Sequence, residues 1–180
     1  MKKNLFLFLT LLFFAACNNM ESSREEILTV ASEHDTALDH VRDVSRNLSG
    51  ELERWSYYQS EIMKRQDSLP ALSSEEHTKL DEKLNLFNGY NGQFSAFIQE
   101  IGNFAKAFDE QEPQLAAMKK ALEGGEKFEG NLNRTLNEIR KTNEETKEKV
   151  KLWEDRLSKM GQEIEKSYKE IAALQGQPVE

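Results

Sequence analysis

The stretch SEHDTALDH, residues 32–40, places two histidines among carboxylates, the side chains that bind metal ions. The carboxylates are Glu33, Asp35 and Asp39. Two ligands share one face of a helix when they are three or four residues apart, whereas His34 and His40 are six apart and lie about 120° from alignment. The chain also has no Glu-x-x-His or His-x-x-x-His pair. We therefore predict no metal site and no cofactor, and we interpret His34 as a structural residue, with ligand binding or pH sensing as the alternative.

Residue patterns of the common enzyme classes are missing from the sequence. It has neither a glycine-rich phosphate loop nor a nucleophile elbow. Carboxylates spaced for one helix face occur throughout, as in any highly charged helical chain, and therefore identify no acid–base pair. We predict no catalytic residues and expect that the protein is not an enzyme.

The one cysteine, Cys17, follows an N-terminal segment whose composition differs from the rest of the chain. The segment has two lysines, then the ten-residue apolar run LFLFLTLLFF, then Ala15 and Ala16. A helix needs roughly 20 apolar residues to cross a hydrocarbon core of about 30 Å, so the run is too short to span a membrane. Residues 1–16 are predicted to be a secretory signal peptide.

The sequence FAAC, residues 14–17, resembles the lipobox of bacterial lipoproteins, in which two small residues precede a cysteine that becomes the mature N-terminus. Phe14 stands where leucine is usual in that family. The resemblance implies that Cys17 carries a diacylglycerol thioether and further acylation, including palmitate, which anchors the protein in a lipid bilayer. Residue 18 is Asn and not the Asp that resembles an inner-membrane retention signal, which favours the outer membrane of the cell envelope.

Charge limits the partners of the mature chain. Removal of residues 1–16 takes away two lysines and leaves 22 basic and 32 acidic residues, a net charge of −10. Nucleic acids and anionic lipid surfaces are poor partners for such a chain. We therefore predict no nucleic-acid binding and an anchor that depends on acylated Cys17.

After a tether at residues 17–24, the first helix is predicted at residues 25–66 from apolar positions in alternating three- and four-residue steps. These positions are Ile27, Val30, His34, Ala37, Val41, Val44, Leu48, Glu51, Trp55, Tyr58 and Ile62, of which two are polar. Pro70 closes this segment. Ser73 or Ser74, with Glu76 or His77 after it, is typical of the N-terminus of a second helix.

The second helix, predicted at residues 75–109, has an aromatic stripe with the same spacing. The stripe consists of Phe87, Tyr90, Phe94, Phe97, Ile101, Phe104 and Phe108. Glycines at 89, 92 and 102 beside it predict close packing or a local bend. Pro113 predicts a new helix at residues 113–123, because proline is favoured in the first turn and not in a helix interior.

The last helix is predicted at residues 126–174, followed by a tail at 175–180. Gly124 and Gly125 either kink or break the chain before it. Asn143 and Thr146 interrupt its apolar stripe, and in an antiparallel pairing they face polar positions such as Glu51 or a cluster of waters. We predict an all-α fold: an antiparallel bundle of three long, coiled-coil-like helices, or of four if residues 113–123 form a separate helix.

Aromatic residues suggest two functional hypotheses. Trp55, Tyr57 and Tyr58 cannot all face the core of one helix, so Tyr57 is predicted to be exposed and to serve as a binding anchor. The rings of Phe94 and Phe97 belong to the core, or alternatively line a groove for an apolar ligand. We predict an envelope lipoprotein that acts as a helical protein-interaction or structural module, binding an envelope protein or a second copy of itself. The alternative is a carrier of an apolar or haem-like ligand, bound between the aromatic stripe and His34.

Overall fold

Three long helices form the described part of the chain. The computed structural model describes residues 23–66, 72–124 and 128–176. Helix α1 spans Arg24–Gln66, α2 spans Ser74–Gly124 and α3 spans Leu132–Leu174. The described residues contain no strand. The predicted all-α three-helix bundle is therefore confirmed, while the predicted signal peptide, Cys17 and most of the tether lie outside the described residues.

The helices contribute to two compact units. Unit 1 contains the described residues of 1–40 and 104–148, and unit 2 contains those of 41–103 and 149–180. The core of unit 1 is an aliphatic cluster: Ile27, Val30, Ala31, Leu115, Met118, Leu136 and Ile139. The core of unit 2 is richer in rings, and its largest buried side chains include Trp55, Phe87, Phe94, Phe97, Trp153 and Ile164.

Contacts in unit 2 give the direction of each helix. Between α1 and α3, Tyr58 stacks on Tyr168 and the Ile62 carbonyl accepts a hydrogen bond from Gln175, so residue numbers rise together and the helices are parallel. Between α2 and α3, Lys83 pairs with Glu170 and Glu100 accepts from Trp153. In these two contacts the residue number rises along α2 while it falls along α3. Helix α2 is therefore antiparallel to α3 and hence to α1.

A capping box begins α2, as the sequence predicts. The backbone N–H of Glu76 donates to Ser73 Oγ at 3.3 Å, and the backbone N–H of Ser73 donates to Glu76 Oε2 at 2.7 Å. Each side chain satisfies an N–H that has no partner within the helix. The carboxylate of Glu76 accepts hydrogen bonds from the hydroxyl and from the backbone N–H of Ser73, which lowers its pKa. Ser73 is therefore the residue that sets the start of α2.

The predicted helix boundary at Pro113 is wrong, and so is the separate helix at 113–123. Pro113 lies inside α2, which continues to Gly124. Pro113 and Asp109 are both exposed, so water can reach the turn in which the carbonyl of Asp109 loses its usual N–H donor. Phe108 and Leu115 are buried on either side, and their packing keeps the helix continuous through the proline.

The predicted start of the last helix at residue 126 is also wrong. Helix α2 ends at Gly124, and α3 begins at Leu132. The side chain of Asn131 accepts a hydrogen bond from the backbone N–H of Arg134 at 3.1 Å, which caps α3. Gly124 is thus the last residue of α2, and Gly125 lies outside the described residues.

The first residues of the predicted tail belong to the packed structure. Gln175 is buried, and its Nε2 donates to the carbonyl of Ile62 at 3.3 Å. Gly176 has a φ of 78°, and its N–H donates to the carbonyl of Ala173 at 3.0 Å. This is the left-handed cap that glycine forms most easily after a helix. Residues 177–180 lie outside the described part of the chain.

Glycines in the helices have two different roles. Gly89, Gly92 and Gly102 cause no break in α2, and a Cβ built on any of them meets no atom within 4 Å, so the predicted close packing is not found there. Gly161 in α3 is different. A Cβ there would lie 2.7 Å from the Arg54 guanidinium and 2.8 Å from the Glu51 carboxylate. The missing side chain leaves room for the ion pair between those two residues of α1.

Candidate functional site

A polar layer interrupts the apolar core of unit 1. We use this name for His34 of α1, Gln111 of α2, and Thr142, Asn143 and Thr146 of α3. His34 is 2% exposed, Asn143 1% and Thr146 0%, so their polar atoms are removed from water. Burial of such groups destabilises a fold unless they form hydrogen bonds, which makes this layer the most unusual feature of the core.

Hydrogen bonds within the layer satisfy some of its polar atoms. Thr146 Oγ1 donates to the carbonyl of Thr142 at 2.7 Å. The amide of Gln111 donates from Nε2 to Thr142 Oγ1 at 2.7 Å and so joins α2 to α3. Asn143 Nδ2 donates to the carbonyl of Val30 at 3.3 Å and joins α3 to α1. The layer therefore connects all three helices of unit 1.

Three buried atoms of the layer have no hydrogen-bond partner. They are Nδ1 of His34, Oε1 of Gln111 and Oδ1 of Asn143. Each atom left without a partner costs about 1 to 3 kcal/mol relative to its hydrated state. The layer is thus less stable than an apolar layer of the same volume, and a species that donated hydrogen bonds to these atoms would stabilise it.

Burial also controls the charge of His34. Its ring packs against Phe108 with the centroids 4.9 Å apart. Burial lowers the pKa of His34 because the apolar surroundings disfavour the imidazolium, while Asp35, Glu112 and the side chain of Asn143 raise it by smaller amounts. The neutral imidazole is therefore the favoured form near pH 7.

The predicted pairing of Asn143 and Thr146 with Glu51 is wrong. Asn143 contacts the turn of α1 that carries Val30, and Glu51 instead lies beside Gly161. The prediction assumed that these two helices are antiparallel, and α1 and α3 are parallel. The polar residue of α1 that Asn143 meets is His34.

The aromatic stripe of α2 is core. Phe94 is 1% exposed and Phe97 is fully covered, so neither ring lines an open groove. Phe94 lies against the indole of Trp55 with the ring centroids 6.1 Å apart. The buried Nε1 of Trp55 donates to the carbonyl of Phe87 at 3.0 Å, which satisfies the only polar atom of that side chain.

A network of polar side chains in unit 2 lies against Phe97. The guanidinium of Arg156 lies 4.4 Å from the centroid of the Phe97 ring, and it also donates to Glu100 Oε2 at 3.0 Å. The indole of Trp153 donates to Glu100 Oε1 at 2.8 Å. The Glu100 carboxylate thus holds the Arg156 guanidinium over the Phe97 ring and also binds the indole N–H of Trp153.

Three tyrosines of unit 2 form a surface group that we call the tyrosine patch: Tyr57, Tyr58 and Tyr168. Tyr57 is 61% exposed, which confirms its predicted position. Tyr58 is half-buried and stacks on Tyr168 with the centroids 4.1 Å apart and the planes 8° apart. The centroids of Tyr57 and Tyr58 are 5.9 Å apart, so the exposed ring stands beside a pair already held in place.

Three residues of the polar layer and the tyrosine patch were missed from the sequence: Gln111, Thr142 and Tyr168. Gln111 falls in the stretch that was interpreted as a helix boundary, yet it lies three residues after Phe108 and four before Leu115, so the spacing of the stripe would have placed it in the core. Tyr168 is next to the stripe of α3 and not in it. Only the alignment of α1 with α3 brings it to Tyr58.

Metal binding and membrane crossing find no support in the described residues. Among residues 23–66, 72–124 and 128–176, no three His, Cys, Asp or Glu side chains are grouped as metal ligands. None of the described helices has a stretch long and apolar enough to cross a membrane. Comparisons with protein families, with curated proteins and with solved structures find no match to this chain.

Proposed function

We propose that the protein is a lipoprotein of the bacterial cell envelope, anchored in the outer membrane through acylated Cys17, and that its bundle binds another protein. The sequence FAAC after a short apolar run supports the anchor. The tyrosine patch is the observation that supports the binding role. Its partner is an envelope protein or a second copy of this chain, and neither a cofactor nor catalysis is required.

The side chains of the tyrosine patch are rigid, which favours binding. Tyrosine has few rotatable bonds and is frequent among the residues that dominate binding energy. The stacked rings of Tyr58 and Tyr168 are ordered before any partner arrives, so less side-chain freedom is lost on binding. The net charge of the mature chain is strongly negative, and an uncharged aromatic surface avoids the repulsion that a second acidic protein would meet elsewhere.

The ligand-carrier hypothesis receives less support from the packing. It requires the rings of Phe94 and Phe97 to face a ligand, and both are covered by other side chains of unit 2. The Phe94 ring lies against Trp55, and the Arg156 guanidinium lies over the Phe97 ring. The interaction module is therefore the better hypothesis.

Photocrosslinking in cells tests the binding role. A benzophenone amino acid placed at position 57 of the full chain should capture a discrete partner, because this side chain is exposed beside two ordered rings. The same amino acid at Thr36, an exposed position of α1 in unit 1, is the matched control and should not capture it. Tyr57→Ala should change the free energy of unfolding by less than about 0.5 kcal/mol. Monomer alone from position 57, or equal capture from both positions, would contradict the proposal.

A further inference from the structure

Unit 1 contains a titratable side chain at the point where its three helices meet. The ring of His34 in α1 packs on Phe108 of α2, and the side chain of Asn143 of α3 also interacts with it. His34 Nδ1 and Asn143 Oδ1 are both buried without a hydrogen-bond partner. The proposed function makes no use of this arrangement, and the imidazole is covered too well to bind a protein partner.

Charged groups reach this ring from two of the helices. Asp35 comes from α1, and Glu112 and Lys119 come from α2. The two carboxylates favour the imidazolium and the lysine disfavours it. Asn143 from α3 is uncharged and offers one acceptor oxygen. His34 Nδ1 has no hydrogen-bond partner in the closed structure, and Asn143 and the two carboxylates favour the imidazolium by less than burial disfavours it.

The other described histidines are placed differently. His40 and His77 are both exposed, and unit 2 has no buried histidine among its described residues. His34 of unit 1 is therefore the only described histidine whose protonation would place a charge in a buried environment. The aliphatic cluster of Ile27, Met118 and Leu136 lies in that same unit.

We propose that His34 makes unit 1 acid-sensitive: protonation of its ring favours a locally opened state of unit 1, while unit 2 keeps its packing. In the opened state the imidazolium is hydrated, and the aliphatic cluster of unit 1 is exposed with it. Because acid sensitivity of unit 1 involves no residue of the tyrosine patch, it stands whether or not the proposed function is correct.

The direction of the effect follows from proton linkage. Burial lowers the pKa of His34 in the closed state below its ordinary value of 6.5. The opened state therefore binds the proton more readily, and the stability of unit 1 is fully present above pH 6.5 and falls as the pH drops below it. The fall continues until the pH reaches the lowered pKa of the closed state, below which both states are protonated.

Hydrogen exchange of the mature chain at pH 7.5 and pH 5.5 tests this proposal. After correction for intrinsic exchange rates, protection of amides in residues 24–40 and 132–146 should fall by about three- to tenfold at the lower pH. The upper limit is about tenfold because an imidazole of ordinary pKa is roughly nine-tenths protonated at pH 5.5. Amides of unit 2 should change by less than about twofold over the same range.

Matched variants assign the effect to one side chain. His34→Gln, or His34→Phe if the glutamine variant does not fold, should remove the pH dependence of unit 1, and His40→Gln should keep it. The proposal is overturned if protection in unit 1 does not change with pH, or if it changes equally in His34→Gln. An equal loss of protection in both units would also overturn it, because the opening would then be global.

Discussion

Replacing Phe94 by alanine is expected to lower the free energy of unfolding by about 3 to 5 kcal/mol, the largest effect of any single change considered for this chain. Phe94 is 1% exposed, and its ring packs against Trp55 in the core of unit 2. The substitution removes the apolar area that the ring buries and leaves a cavity that neighbours on rigid helices cannot fill. Urea unfolding followed by circular dichroism measures the change.

Leu86→Ala is the matched control on the same helix, because Leu86 is 66% exposed. It should change the free energy of unfolding by less than about 0.5 kcal/mol. The comparison also separates two interpretations of the aromatic stripe. If these rings formed the wall of a ligand groove, Phe94→Ala would remove few contacts in the ligand-free protein. A loss below about 1 kcal/mol would therefore favour the carrier hypothesis over a packed core.

Replacing Pro113 by alanine is expected to raise the free energy of unfolding by about 2 to 3 kcal/mol. Proline has no N–H to donate to the carbonyl of Asp109, and its ring crowds that turn of the helix. Pro113 lies inside α2 with an exposed ring, so alanine restores the missing donor and does not disturb the core. The same denaturation experiment measures the gain.

Gly102→Ala is the control for Pro113→Ala. It lies in the same helix, and its Cβ would meet no atom within 4 Å. It should gain up to about 1 kcal/mol from helix propensity alone, without a new hydrogen bond. If Pro113 instead began a separate helix, proline would be favoured there and alanine would leave stability unchanged or lower. That result would contradict a continuous α2.

The bundle itself was predictable because the apolar spacing is regular. The three- and four-residue steps identified the buried faces of α1 and α3, including His34, Asn143 and Thr146, all of which are buried. The capping box of Ser73 and Glu76 located the start of α2. These are local signals, since spacing and capping depend on residues within a few turns of each other.

The error at Pro113 shows how two local signals conflicted. Phe108, Gln111, Leu115 and Met118 continue the spacing of the stripe without a phase shift through the proline. A helix that ended there would have had no reason to keep that phase. The periodicity is the stronger signal because an exposed turn allows water to satisfy the carbonyl that proline leaves free.

Contacts between distant segments were not predictable from spacing alone. The stacking of Tyr58 on Tyr168 and the position of Asn143 against Val30 both depend on the parallel alignment of α1 with α3. A register shift of one turn would preserve every apolar stripe and change both contacts. The polar layer and the tyrosine patch therefore become visible only in the folded structure, even though most of their residues were noted in the sequence.

Metabolic labelling with radioactive palmitate is the most direct test of the central claim, that Cys17 anchors this bundle to a membrane. The labelled full-length protein, expressed in a bacterial host, is compared with its Cys17→Ser variant. The account predicts label on the wild-type protein and none on the variant, because the thiol is the only one in the chain and the mature N-terminus would be lost with it. Label that persists in Cys17→Ser, or its absence from the wild-type protein, would contradict the account.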